Sequence, residues 1–423
     1  MKKFLEKITI VLRDETLRKR IFFTIGALVV FRLLAAIPIP GIDALSLERL
    51  LNGNQFLGLL DIFSGGGISR LSIVMLGVGP YITGSIIMQL LTMMIPKMKA
   101  MVQDEGDLGR QKLSQYSRLI SVPLAIFQAF AFIKLFQSQN VIPEMSTMVL
   151  FVNVMVISAG SLLLMWIGEL VSEFGIGNGV SLLIFAGIVA VLPERIFQII
   201  AGFDSSQIPL YLLSIVIALI VILAVVVITE AERSVPVTYA KQVRGNKVYG
   251  GVSTYLPLRL NQAGVIPIIF ALSILLFPQI ISNYFIKSTN NTIADIASSV
   301  SNFLGNEWTH AVLYFFLVFI FTYFYTALTF DPKQISENLQ KGGAFIPGVR
   351  PGEATMEYLG KIVTRITLVG ALFLGFIAVL PLIIQGFTGN QSLAIGGTAL
   401  LIVVSVVLDL LKKIDAQVSM REY

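Results

Sequence analysis

The only histidine of this chain, His310, stands at the head of an apolar stretch, and cysteine is absent. Without thiols there is no disulfide, no zinc–thiolate site and no thiol nucleophile. A lone imidazole at the edge of an apolar run reads as an interfacial side chain rather than a metal or proton site. Neither a His-Glu-x-x-His pair nor a Gly-x-Ser-x-Gly elbow occurs, which leaves an intramembrane hydrolase without its machinery. The carboxylates that could couple transport to an ion, Glu169, Glu173, Glu230, Glu232, Asp331 and Asp409, gather at the ends of apolar stretches. Carriers driven by protons or sodium need such ligands inside the membrane. A phosphate-binding Gly-x-x-x-x-Gly-Lys-Ser/Thr loop is missing as well, so the energy for any work must come from another molecule. The expectation is no catalytic residue, no metal and no cofactor.

What remains is the chemistry of tightly turning backbone and of exposed positive charge. Leu60, Asp61, Ile62, Phe63, Ser64, Gly65, Gly66, Gly67, Ile68, Ser69 and Arg70 form an apolar segment broken by three glycines and too short to span. Over residues 57–70 this is either an exposed loop or a re-entrant element seated in a pore, because non-helical backbone at membrane depth survives only against protein or a water-filled cavity. The two longest polar connections on the positively charged side, 229–261 and 331–365, are basic and rich in turn residues. In the first, β-formers flank Gly245-Asn246, which predicts a hairpin tipped by Arg244 and Lys247. A projecting basic tip suits a phosphate-rich or acidic partner.

Ten apolar stretches must carry these features: 21–37, 71–95, 119–136, 148–168, 179–200, 208–228, 265–286, 311–330, 366–384 and 393–411. Most have the ~17–25 residues of a spanning helix, and with 55% hydrophobic and 13% charged residues there is no room for a large soluble domain. If the chain starts on one side, 25 of its 31 Lys and Arg residues fall on that side, so both termini are expected in the cytoplasm. Arg32, inside the first stretch, is expected to snorkel to an interface. The first stretch follows a second basic cluster and ends in Pro38 and Pro40 rather than a cleavage site, so it reads as a span and not a signal peptide. Before it, apolar residues between positions 4 and 12 recur at helical spacing, as in a surface-lying amphipathic helix.

The domain expectation is a cytoplasmic segment 1–20, a five-helix half 21–200, a second half 201–411 and a tail 412–423. Because five is odd, two like halves would be inverted. That arrangement fits a membrane conduit or a secondary solute transporter; a membrane scaffold with recruiting loops is a third reading.

Specific strings then narrow the choice. Phe63-Ser64-Gly65-Gly66 with Ser69-Arg70, Gly79-Pro80-Tyr81-Ile82, residues 85–91, 109–116 and 165–169, Gly175-Ile176-Gly177-Asn178-Gly179, Leu256-Pro257-Leu258, residues 261–267 and 345–352 together resemble the SecY family, the central subunits of bacterial protein-conducting channels. The resemblance runs from the first stretch to the last. It implies an all-α integral membrane protein of ten transmembrane helices, in two inverted five-helix halves around a central hourglass pore. It implies a plug at about 57–70 and an aliphatic pore ring of Val78, Ile82, Val180, Ile184, Ile269 and Ile402, two of them Val. A lateral gate would set Thr83, Ile86, Ile87 and Leu90 against Phe270, Ser273 and Phe277. Lys241, Arg244, Lys247, Lys341 and Arg350 would dock the SecA motor ATPase or the ribosome, through rRNA phosphates and ribosomal proteins. The remaining implied partners are the small subunits SecE and SecG, signal sequences, nascent polypeptides and membrane lipids, and the implied place is the bacterial plasma membrane.

Overall fold

The computed structural model describes residues 14–39, 64, 66–138, 142–201, 208–239, 242–244, 247–249, 253–286, 291–388 and 397–419. The surface helix expected before residue 13 lies outside them. In chain order the helices are α1 (Glu15–Ala35), α2 (Gly79–Met94), α3 (Pro96–Asp104), α4 (Asp107–Ser138), α5 (Thr147–Phe174), α6 (Gly179–Ala201), α7 (Ile208–Glu230), α8 (Ile266–Phe285), α9 (Asn291–Gly305), α10 (Glu307–Thr329), α11 (Pro332–Lys341), α12 (Glu353–Thr388) and α13 (Gly397–Ser419). Strands β1 (Glu232–Tyr239), β2 (Gln242–Arg244), β3 (Lys247–Tyr249) and β4 (Ser253–Arg259) follow α7, and β5 (Ala344–Phe345) follows α11.

Among the described residues, five helical stretches, Asp107–Gln137, Thr147–Phe174, Ile208–Glu230, Trp308–Lys341 and Glu353–Ile384, are long and apolar enough to cross a membrane. Gly79–Met94 with Pro96–Val102, bent by 106°, makes a sixth if counted as one span. The other apolar stretches of the sequence also fold as helices, α6 and α8 carrying Pro193 and Pro278. One boundary differs from expectation. Residues 71–78, read as the start of the second span, are not helical; helix begins only at Gly79, with Pro80 in its first turn, where a missing N–H costs nothing.

The molecule is apolar on its outside. Along α7 the side chains of Leu212, Leu213, Leu219, Ile220 and Leu223 are exposed, a surface that water does not tolerate and hydrocarbon does. Helix contacts fall into two sets. In the first, α4 packs on α2 and α5, and α1 and α6 pack on α5; in the second, α10 packs on α8 and α12, and α13 on α7 and α12. The sets meet where α8 touches α2 and α4, and where α13 touches α6. Ion pairs fix how the ends align: Arg118 Nε lies 2.5 Å from Glu169 Oε1, joining the early part of α4 to the end of α5. Lys412 Nζ lies 2.8 Å from Glu230 Oε1, setting the ends of α7 and α13 side by side.

Beyond the helices stands an antiparallel sheet of order β4-β1-β5, with Val235 opposite Leu256 and Thr238 opposite Phe345. Val235, Val237, Leu258, Ala344 and Ile346 pack against Leu359, Ile362 and Val363 of α12. Both long basic connections therefore share one apolar core.

Candidate functional site

Irregular backbone occupies the space above α2, and every step of it has a physical reason. Ser64 Oγ accepts hydrogen bonds from Gly67 N (3.1 Å) and Ile68 N (3.2 Å), turning the chain as a helix cap does. Gly66 sits at φ +76°, and a Cβ on Gly67 would lie 3.1 Å from the Ser64 carbonyl and 3.2 Å from Met75 Cα, so a side chain would be strained at the first and crowded against backbone at the second. The segment is then tied to its neighbours. Ile39 N donates to the Leu71 carbonyl (2.8 Å) and Ile73 N to the Ile37 carbonyl (3.0 Å). Ser72 Oγ donates to the Leu34 carbonyl and Ser161 Oγ to the Gly77 carbonyl. These bonds are the condition under which non-helical backbone can sit at membrane depth. Ser64, Gly66, Gly67 and Ile68 are buried, Ser69 is half-buried and Arg70 exposed, whereas Leu60, Asp61, Ile62, Phe63 and Gly65 lie outside the described residues.

Below this segment the two helix sets close on a single apolar cluster. Val78, Ile184 and Ile402 are buried in it, and Ile82, Val180 and Ile269 pack against it half-buried. The six positions come from four helices or their first turns: α2, α6, α8 and α13. Val74 of the irregular segment lies in the same cluster. All six side chains are aliphatic, so what they can do is exclude water, not coordinate or protonate anything.

Beside it runs the contact of α8 with α2 and α4. Thr83 and Ile86 are buried, and Ile87 and Leu90 half-buried. Thr83 Oγ1 donates to the Gly79 carbonyl (3.0 Å) and Ser273 Oγ to that of Ile269 (2.9 Å), so each of these two hydroxyls is satisfied within its own helix. Phe270 is buried and stacks on Phe321 at 4.3 Å between centroids; Phe277 follows on the same helix.

The basic positions stand at the sheet end. Arg244 and Lys247 are directly opposite in the β2–β3 pair, as the Gly-Asn turn predicts, and Lys241 lies outside the described residues. Lys341 is exposed at the end of α11, 3.8 Å from Glu337. Arg350 is exposed, but its backbone is fixed: Thr355 Oγ1 donates to the Arg350 carbonyl (2.8 Å) and Ser336 Oγ to that of Gly352 (2.6 Å). Gly348 at φ +84° and Gly352 at φ +94° make the turns on either side.

A family model, SecY, matches residues 72–411. The chain belongs to the SecY family. It is 39% identical over 97% of both chains to the protein translocase subunit SecY of Streptomyces coelicolor. It is 40% identical, again over 97% of each, to that of Mycobacterium tuberculosis strain H37Rv. Among solved structures it resembles one described as "The structure of a protein conducting channel", with TM-score 0.66 and 20% identity over 96% of this chain and 93% of that one. It also resembles "Sec61 in the Canine ribosome-channel complex from the endoplasmic reticulum", with TM-score 0.62 and 20% identity over the same shares. The SecY-family fold therefore spans the described helices and sheet alike.

Sequence reasoning missed the three-stranded sheet and the helix α9. Val235 and Val237 do alternate inward along β1, but Pro236 and Pro257 interrupt both principal strands, and proline inside a run argues against a strand. The alternation alone was the usable signal.

Proposed function

We propose that this multi-pass membrane protein is the channel-forming subunit of a protein translocase, conducting polypeptides across the membrane and releasing apolar segments sideways into lipid. The observation that carries the reading is the convergence of Val78, Ile82, Val180, Ile184, Ile269 and Ile402 from both helix sets on one apolar cluster. An aliphatic gasket binds no ion and admits side chains of any kind, yet stays dry when closed. A coupled solute carrier has no use for such a site and lacks its ligands here; the transporter reading is not favoured.

In this reading residues 57–70 are a plug seated over the ring, and its glycines let it pack closely and leave at low cost. The α8 contact with α2 and α4 is the lateral gate, where a signal sequence exchanges helix contacts for its own. The hydroxyls of Thr83 and Ser273 there bond within their own helices and so do not resist parting. Lys241, Arg244, Lys247, Lys341 and Arg350 form a salt-sensitive docking face for the ribosome or for SecA. SecE, SecG and lipid cover the apolar outside. The sheet end faces the cytoplasm of a bacterium, and both termini lie on that side of the plasma membrane.

The test is reconstitution with SecE, SecG and SecA, following protease protection of a secretory precursor. Protection that requires all components is expected; saturable uptake of a small solute without polypeptide transit would reject the reading. In the same vesicles, replacing Ile82, Ile184 and Ile402 together with Ser should raise ion leak. If the three side chains are only packing, each loss costs ~1–3 kcal/mol of stability and no leak appears.

A further inference from the structure

Helix α9 divides its surface three ways. Ala297 and Leu304 are buried, and Leu304 joins the cluster of Leu272 and Leu275 on α8 and Ala311 and Tyr314 on α10. Asp295, Ser299 and Asn302 are exposed on a polar face. Between these two faces Ile293, Ile296, Val300 and Phe303 are exposed in one stripe, Phe303 at 59%. A helix that is half polar and half apolar, and whose apolar half is only partly covered by its own protein, has the division of a helix lying along a membrane surface.

What covers the stripe is indicated by what it joins. Immediately after α9, Trp308, Val312, Phe316 and Ile320 are exposed at four-residue spacing along α10, one of the stretches apolar and long enough to span. Trp308 stands where that lipid-facing stripe meets the end of α9, and indoles favour the headgroup level. On the other side Ile281, Phe285 and Ile286 continue the exposed apolar surface along α8. The end of α8 that leads into α9 is the one remote from the β4-β1-β5 sheet.

We propose that α9 is an interfacial helix whose Ile293, Ile296, Val300 and Phe303 embed in the acyl–headgroup boundary of the leaflet opposite the sheet, so that phospholipid is its partner. By the proposed orientation this is the outer leaflet. Through Leu304 the embedded helix is anchored to the cluster formed by Leu272 and Leu275 of α8 and Ala311 and Tyr314 of α10. The stripe binds no particular headgroup, because it offers the lipid no charge.

The experiment uses the full chain in phosphatidylcholine vesicles whose acyl chains are brominated at a shallow or at a deep position. Trp166 and Trp308 are replaced by Phe and a single tryptophan is introduced by Phe303→Trp. Shallow bromines should quench its emission by about half, and deep ones less. Ile296→Trp in the same background should repeat the pattern, while Ser299→Trp should stay unquenched. Weak quenching at 303 and 296 no different from that at 299 would overturn the proposal, pointing instead to a protein covering the stripe. Quenching strongest with deep bromines would also overturn it. Polypeptide transit does not enter the measurement, so failure here leaves the channel reading standing, and failure of transit leaves this one.

Discussion

Two stretches of this molecule are irregular and glycine-rich, and they solve opposite problems. Residues 66–78 turn through Gly66 and Gly77 at positive φ; residues 342–352 turn through Gly343, Gly348 and Gly352. In the first, glycine is needed for contact as well as for backbone angle, since a Cβ on Gly67 would meet backbone, and one on the facing Gly160 would collide with the Ile73 carbonyl. In the second, a Cβ on Gly343 or Gly348 would meet nothing within 4 Å. Where water can take up the polar groups, only the angle is specified. Where it cannot, neighbours must supply every bond, and the surrounding helices are shaped to do so.

The comparison breaks most visibly at Gly160. Gly160→Val should drive α5 off the irregular segment and cost about 3 kcal/mol, read as loss of thermal stability in detergent or as loss of accumulated protein. Should this variant be no worse than one in the 342–352 loop, the close approach of α5 is not what holds the segment. A smaller effect is expected from Gly348→Ala, which strains only the backbone at φ +84° and should cost about 1 kcal/mol; a cost as large as at Gly160 would erase the contrast. Smallest in stability is Arg350→Glu, a charge reversal on an exposed side chain, within about 0.5 kcal/mol. That variant sharpens the comparison, because motor-driven translocation should nevertheless fall severalfold. Normal translocation would remove Arg350 from the docking face.

The helical frame was legible in the sequence because hydrocarbon enforces one rule on every span, and all ten apolar stretches carry helix. The hairpin of Arg244 and Lys247 was legible for a local reason, a Gly-Asn turn between β-formers. What could not be read depends on distant partners. Residues 71–78 are as apolar as a helix, and only their bonds to Leu34, Ile37 and Ile39 on one side and Ser161 on another keep them irregular. The β1–β5 pairing joins positions about a hundred residues apart, which no local pattern encodes. For the site, the six aliphatic residues are ordinary one by one. Resemblance to a family singled them out, and the fold brings them into one cluster.

The sheet that ties the two long basic connections together has a mechanical consequence. Strand β1 continues from α7, β4 leads through residues 260–265 into α8, and β5 is locked between α11 and the start of α12. A load applied to this sheet is therefore shared by α7, α8 and α12, and α8 is the helix that meets α2 and α4. In the proposed reading, a docked machine that tilts the sheet by a few degrees pulls on the seam between the two helix sets without touching it.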